Sequence, residues 1–368
     1  MEISDVMYCI FFIVTLLFSI LLNSIFLKFV KTLGIRSHTD TIIRWNSQSK
    51  PALGGISFYV IFLLSIIFYA IFWEPGSLIK NKQMLGVIIA CTIGFLMGLA
   101  DDAYNTKPFL KFLAQLLCAI VFIYTDTYIS FFDNQLLNYF LTAFWVIGIM
   151  NSINMLDNMD AITTCVSTII VSGVLAILYL SNNYNNVLFL LLLGTLSSLI
   201  GFLFFNWYPS KMFMGDTGSQ FIGVLLSAVG IIFFWNLPYS IQPEKSSSKQ
   251  IIVILLAFII PIIDTTTVVI NRLLKKKSPF IGGKDHTTHH LFYFGISERK
   301  IALLFSLISI ISLMLAIFIM RQISEWNYFY IVLFSSFFFL AFISLYVTTR
   351  LKNSANEDIN ANNKKYFK

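Results

Sequence analysis

Long apolar runs broken by short polar stretches recur along nearly the whole chain. Within each run the apolar positions are continuous and lack the every-second-residue alternation of a half-buried strand. Runs of this length suit helices that cross a bilayer. Lipid supplies no water to backbone amides, so spanning segments are helices or parts of a closed barrel, and unalternating runs select helices. The pattern predicts an all-α, polytopic membrane protein with about eleven transmembrane helices, near residues 6–30, 52–73, 84–100, 109–125, 137–153, 161–180, 186–206, 217–236, 250–271, 299–320 and 327–349. No separate soluble domain fits between the runs, so residues 1–351 are expected to form a single membrane domain. Residues 352–368 are polar and are expected to be a disordered tail. The first run follows Glu2 and Asp5 instead of a basic segment, so it is expected to be a retained anchor and not a secretory signal.

Composition agrees with that pattern: 57% of residues are hydrophobic and 12% charged, and the mean hydropathy is +0.80. Charge adds an orientation. With successive loops assigned to alternate faces, twenty of the 25 lysines and arginines fall on the face reached after the first span. That face is expected to be cytoplasmic, with the N-terminus outside and the C-terminus inside. The net charge of +7 follows from this bias and forms no soluble basic patch, which argues against nucleic acid as a partner. Cys9, Cys91, Cys118 and Cys165 all fall in apolar runs without metal-ligand spacing and read as packing residues.

Polar chemistry concentrates in the loops of the expected cytoplasmic face. The first ends in Lys50 and "PALGG" (Pro51 to Gly55), where the lysine either meets a phosphate or is an ordinary snorkelling residue. The second is "GLADDAYNTKPFLK", with Asp101 and Asp102 at the end of a span and Lys107 and Lys111 close behind. Adjacent carboxylates at a membrane boundary persist only if solvated, paired with a cation or bound to metal. The third, "NSINMLDNMDAI", carries Asn151, Asn154, Asp157 and Asp160 at steps of three, so consecutive pairs share a face on a helix. These groups could read a base, a sugar or a hydrated cation, or could bond neighbouring helices.

The fourth, "FMGDTGS" (Phe213 to Ser219), sets Asp216 between two glycines, with Thr217 and Ser219 placed to cap the following helix. The fifth holds Lys275 to Lys277 and then Lys284, His286, His289 and His290, with His286 and His290 at i, i+4. Zinc is one reading of these histidines. Pyrophosphate binding fits better, because no cysteine joins them and the neighbouring clusters are hard oxygen donors. Asp264 lies inside a span and is either functional or satisfied by Thr265 to Thr267.

Five aspartates at one membrane face cannot bind a diphosphate directly, since like charges repel. A hard divalent cation resolves the conflict: Mg²⁺ takes one or two carboxylates together with substrate phosphate oxygens and acts as a Lewis acid in phosphoryl transfer. A site at the membrane face suggests one soluble and one lipid substrate.

Taken together, "PALGG", "GLADD" (Gly98 to Asp102), "NSINMLDNMD" (Asn151 to Asp160), "FMGDTGS", "PIIDT" (Pro261 to Thr265) and "DHTTHH" (Asp285 to His290) resemble, in order, the polyprenyl-phosphate N-acetylhexosamine-1-phosphate transferases. The span count and the "DHxxHH" form are most similar to the bacterial enzymes that use UDP-N-acetylglucosamine. The resemblance implies Mg²⁺-dependent transfer (Mn²⁺ being an alternative ion) of a sugar phosphate from a UDP-N-acetylhexosamine to undecaprenyl phosphate in the bacterial inner membrane, releasing UMP. It allows a homodimer. Asp216 then corresponds to a metal-binding aspartate and Asp101 and Asp102 to the catalytic acidic pair. Lys50, Lys111, Asn151, Asn154, Asp157, Asp160, Lys284, His286, His289 and His290 correspond to substrate-binding positions. The sequence departs from the family at Asn158 and Ala161, where the usual pattern D-G-x-D-G has glycine, which puts backbone approach and nucleotide preference in question there. The alternatives are the muramyl-pentapeptide transferases, whose histidine motif differs, and, in another class, a secondary transporter, which would show inverted repeats and acids near the midplane.

Overall fold

The computed structural model describes residues 3–33, 50–72, 81–184, 186–236, 246–278 and 283–351. The tail 352–368 and most of the first loop lie outside the described residues. The described residues form thirteen α-helices: α1 Ile3–Leu33, α2 Gly54–Phe72, α3 Lys82–Tyr104, α4 Pro108–Tyr124, α5 Gln135–Leu156, α6 Ile162–Leu180, α7 Val187–Asn206, α8 Gly215–Val229, α9 Ser247–Ala257, α10 Ile259–Leu274, α11 Thr287–Tyr293, α12 Glu298–Gln322 and α13 Tyr328–Thr348. Among the described residues nine helical stretches are long and apolar enough to cross a membrane alone; α4 is shorter, and α9 and α10 qualify only as a pair. The protein is a multi-pass, all-helical membrane protein, as the hydropathy pattern predicts.

The centre is α8, which continues to Trp235 as a π-helical turn, Gly230–Trp235. It is almost wholly buried, as a core helix is, with its polar residues gathered mainly in its first two turns. Helices α2, α3 and α5 pack against it. Glycine sets how closely they approach. A β-carbon on Gly98 of α3 would lie 2.3 Å from the Asp216 carbonyl oxygen, and one on Gly55 of α2 would lie 2.1 Å from the Gly218 nitrogen. Small residues that let backbones meet are the usual basis of helix packing in lipid. Helices α1 and α13 lie at the edge and leave most of their surface uncovered.

One expected span is not continuous. Residues 250–271 were expected to form one helix, but α9 and α10 meet at 86°. Pro261 explains the break: it has no N–H for the Ala257 carbonyl, and its ring would clash there in a straight helix. The break is stitched to α5, where the Ser152 hydroxyl donates to the Pro261 carbonyl (2.6 Å) and accepts from the Thr265 hydroxyl (2.8 Å). The cysteines match their reading as packing residues in part: Cys91, Cys118 and Cys165 are buried, whereas Cys9 is exposed on α1.

Candidate active site

The start of α8 is the point on which distant segments converge. Gly215 turns the chain with φ +73°, a conformation that side chains resist. Just before it, Phe213 pairs with Ala52 in a single parallel bridge. Phe213 N–H donates to Pro51 O (2.9 Å), and Gly55 N–H donates to Met214 O (3.0 Å). The "PALGG" segment is therefore a backbone brace for "FMGD".

Asp102 completes the helix start. Its carboxylate accepts from the Asp216 N–H (3.0 Å), the Thr217 N–H (2.8 Å) and the Thr217 hydroxyl (2.6 Å). The cap expected from Thr217 or Ser219 thus comes from another helix, because a carboxylate at a helix N-terminus satisfies orphan amides and complements the dipole. Asp101, one residue earlier, points elsewhere. Its Oδ1 accepts from the Thr106 N–H (2.9 Å) and hydroxyl, and its Oδ2 lies 2.5 Å from Lys111 Nζ. The same ammonium lies 2.7 Å from Asp216 Oδ2. The other Asp216 oxygen accepts from Asn154 Nδ2 (2.8 Å), which also donates to the Ser219 hydroxyl (2.8 Å). Asp101, Lys111, Asn154 and Asp216, from α3, α4, α5 and α8, form one cluster.

Asn151 sits one turn before Asn154 and belongs to a deeper amide group. It donates to Gln115 Oε1 (2.8 Å), and Gln115 donates to Gln220 Oε1 (3.2 Å). Gln115 and Gln220 escaped the sequence reading, although each lies four residues beyond a site residue, Lys111 and Asp216 respectively, on the same helix face.

The third polar loop does not continue as a helix. Helix α5 ends at Leu156 and Asp157 is its C-cap residue, so the steps of three extend only from Asn151 to that cap. Asp160 is buried and turned to the loop before α8, accepting from the Ser210 N–H (2.8 Å) and hydroxyl (2.7 Å). Lys50 Nζ lies 3.4 Å from the same carboxylate and 2.9 Å from the Ser210 hydroxyl. Ala161 adopts φ +67°, the left-handed region where the resembled family has glycine. Its N–H is held by Asn206 Oδ1 (3.1 Å). Asn158 needs no such conformation; its Oδ1 accepts from the Thr288 hydroxyl (2.7 Å).

That bond leads to the histidines. Helix α10 is their platform: Arg272 Nε and Nη2 hold Asp285 at 2.9 and 2.7 Å, and Asp264 holds His286 Nδ1 at 2.8 Å and the Thr287 N–H at 2.9 Å. The buried acid is thus satisfied by the histidine segment and not by Thr265 to Thr267. His286 is the N-cap of α11, and His289 Nδ1 accepts from the His286 N–H (3.4 Å). Burial and the neighbouring His286 push the His289 imidazole down to about 3, so it is neutral. Burial, then Lys275, lowers His290 too. Burial alone would raise Asp285, but the Arg272 guanidinium more than offsets it and holds the carboxyl below its ordinary value. Lys284 is exposed beside this segment.

Residues 84–234 match the family described as Glycosyl transferase family 4. The matched stretch contains the whole Asp101, Lys111, Asn154 and Asp216 cluster, while Lys50 and the histidine segment lie beyond its ends. The chain is also similar to a Bacillus subtilis protein described as a probable undecaprenyl-phosphate N-acetylglucosaminyl 1-phosphate transferase. The two are 31% identical over 196 residues, which is 51% of this chain and 52% of the Bacillus protein. The chain thus spans about half the length of that relative. It is 28% identical over 267 residues to a phospho-N-acetylmuramoyl-pentapeptide-transferase of Vesicomyosocius okutanii, covering 59% of this chain and 70% of the relative. A Campylobacter lari protein of the same description is 28% identical over 242 residues, 56% and 68% respectively.

Proposed function

We propose that the chain transfers N-acetylglucosamine 1-phosphate from a UDP-sugar to undecaprenyl phosphate, releasing UMP, at the cytoplasmic face of a bacterial inner membrane. The observation that carries this reading is the Lys111 ammonium seated between Asp101 and Asp216, at 2.5 and 2.7 Å, inside the family region. A lipid phosphate oxygen attacks the β-phosphorus of the donor; the bond to the bridging oxygen breaks, and UMP leaves with the electron pair. Lys111 is placed to meet a phosphate oxygen as it loosens from the carboxylates. Asp102 is spent on the α8 amides, so the proton-accepting role falls to Asp101. Asn154 fixes Asp216 from its other side.

The residues present fit a magnesium ion, because two carboxylates offer hard oxygens in one cluster and share a single positive charge. Asp216, with Asp101 beside it, would hold the ion, which supplies charge neutralisation for the diphosphate when bound. The amide-rich segment from Asn154 to Asp157 and the histidine segment supply binding groups for the nucleotide and the sugar diphosphate.

The test is UMP release by the purified chain from UDP-N-acetylglucosamine, undecaprenyl phosphate and Mg²⁺. Asp216→Ala should abolish it, and undiminished turnover in that variant would sink the assignment. The Vesicomyosocius and Campylobacter relatives support a second donor, the UDP-linked muramyl pentapeptide. Faster turnover with that donor would move the specificity there.

A further inference from the structure

The geometry points to Asn158 as a positioning residue that fixes the histidine helix against the donor-binding loop. This inference rests on the transferase reading and adds to it a residue outside the cluster. The histidine segment has two anchors on α10: Arg272 holds Asp285, and Asp264 holds His286 and Thr287. Both tie it to its own side of the Pro261 break. Its third anchor is the Thr288 hydroxyl, which donates to Asn158 Oδ1 at 2.7 Å. Asn158 is in turn fixed by Nδ2 donating to the Met155 carbonyl in the last turn of α5, at 2.9 Å. Met155 directly follows Asn154, the residue on Asp216. One side chain therefore connects the end of α5 to the helix that carries His289 and His290.

The sequence context makes this contact particular to the chain. Where the resembled pattern has two glycines, the second position, Ala161, retains the left-handed backbone suited to glycine, whereas Asn158 is not among the positive-φ residues. A side chain is accommodated at 158 without strain, and it is spent on a contact that glycine could not make. Thr288 is fully buried, so its hydroxyl depends on that acceptor.

The test compares Asn158→Gly, Thr288→Val, Thr288→Ser and the Asn158→Gly/Thr288→Val double variant in the full-length purified chain. Valine keeps the shape of Thr288 and removes the donor; serine keeps the donor. Loss of one neutral hydrogen bond predicts a roughly five- to ten-fold higher donor KM in Asn158→Gly and Thr288→Val. The expected kcat stays within about twofold. Thr288→Ser should stay near the parent, and the double variant should be no worse than either single one. Additive losses in the double variant, or an unchanged KM in both single variants, would overturn the inference. Binding of UDP alone, followed by calorimetry, is read in parallel. A parent chain that binds no UDP refutes the transferase reading itself. A parent that binds UDP with affinity unmoved by Asn158→Gly and Thr288→Val refutes the role of Asn158 alone.

Discussion

The two ends of the helical bundle solve the same problem in opposite ways. At the end away from Asp216, helices cap themselves with the asparagine that precedes them: Asn81, Asn134, Asn186 and Asn327 each accept from an amide of the first turn. Other polar side chains there also serve backbone groups. Asn236 bonds Ser130 N–H and Tyr128 O, Gln250 donates to Trp235 O, and the buried Lys249 donates to Ile323 O at 2.8 Å, the end of α12. At the Asp216 end the helix starts are served from far away in sequence, by Asp102 for α8 and by Asn206 for α6. The pairs Lys50–Asp160, Lys111–Asp101, Lys111–Asp216, Arg272–Asp285 and His286–Asp264 lie at this end. Polar groups bonded to backbone are glue; charged groups bonded to each other can exchange those partners for a ligand.

A matched pair of lysines breaks or sharpens that contrast. Lys111→Met should lower kcat/KM by roughly 100-fold or more, since it leaves Asp101 and Asp216 facing each other without their cation. Lys249→Met should instead leave kcat/KM unchanged and reduce stability by about 1–3 kcal/mol, through loss of one charged hydrogen bond to a buried carbonyl. Steady-state kinetics and detergent thermal melts on both variants check this. A large catalytic loss in Lys249→Met would erase the distinction between the ends.

Acidification should act on the active end through His289. Its imidazole is held near 3 in the fold against an ordinary 6.5, so between those values the unfolded chain binds the extra proton. That contribution is fully present above pH 6.5 and falls by at most about 1.4 kcal/mol per pH unit below it. Asp285 is held below its ordinary value, so its own contribution is lost only at lower pH, as it falls through the folded value. Melting curves from pH 7.5 to 5 should show the decline, and His289→Gln should flatten it. The smallest expected effect is a gain: Ala161→Gly relieves a left-handed alanine and should stabilise by about 1 kcal/mol, read as a higher melting temperature.

The helices were legible because an apolar run long enough to span lipid has few other fates. The bend at Pro261 was not, since proline near a helix start and proline within a span look alike until the neighbouring turn is placed. In the site, residue types were legible and their divisions of labour were not. Asp101 and Asp102 are adjacent in sequence, yet successive side chains on a helix diverge by about 100°. One therefore faces Lys111, the other the α8 amides. Asp160 was expected among substrate-binding groups, and its two oxygens are engaged with Ser210 and Lys50. Gln115 and Gln220 needed the idea that a reactive layer has an inert layer beneath it.

The Asp102 cap has a consequence for how an anionic substrate is received. A bare helix N-terminus is a ready cradle for phosphate. Here that cradle already holds an anion belonging to the protein, delivered by α3 to the amides of residues 216 and 217. In the proposed transfer, an arriving diphosphate would be turned away from the backbone and met by exchangeable positive charge, which would let it leave again once its linkage has been cut.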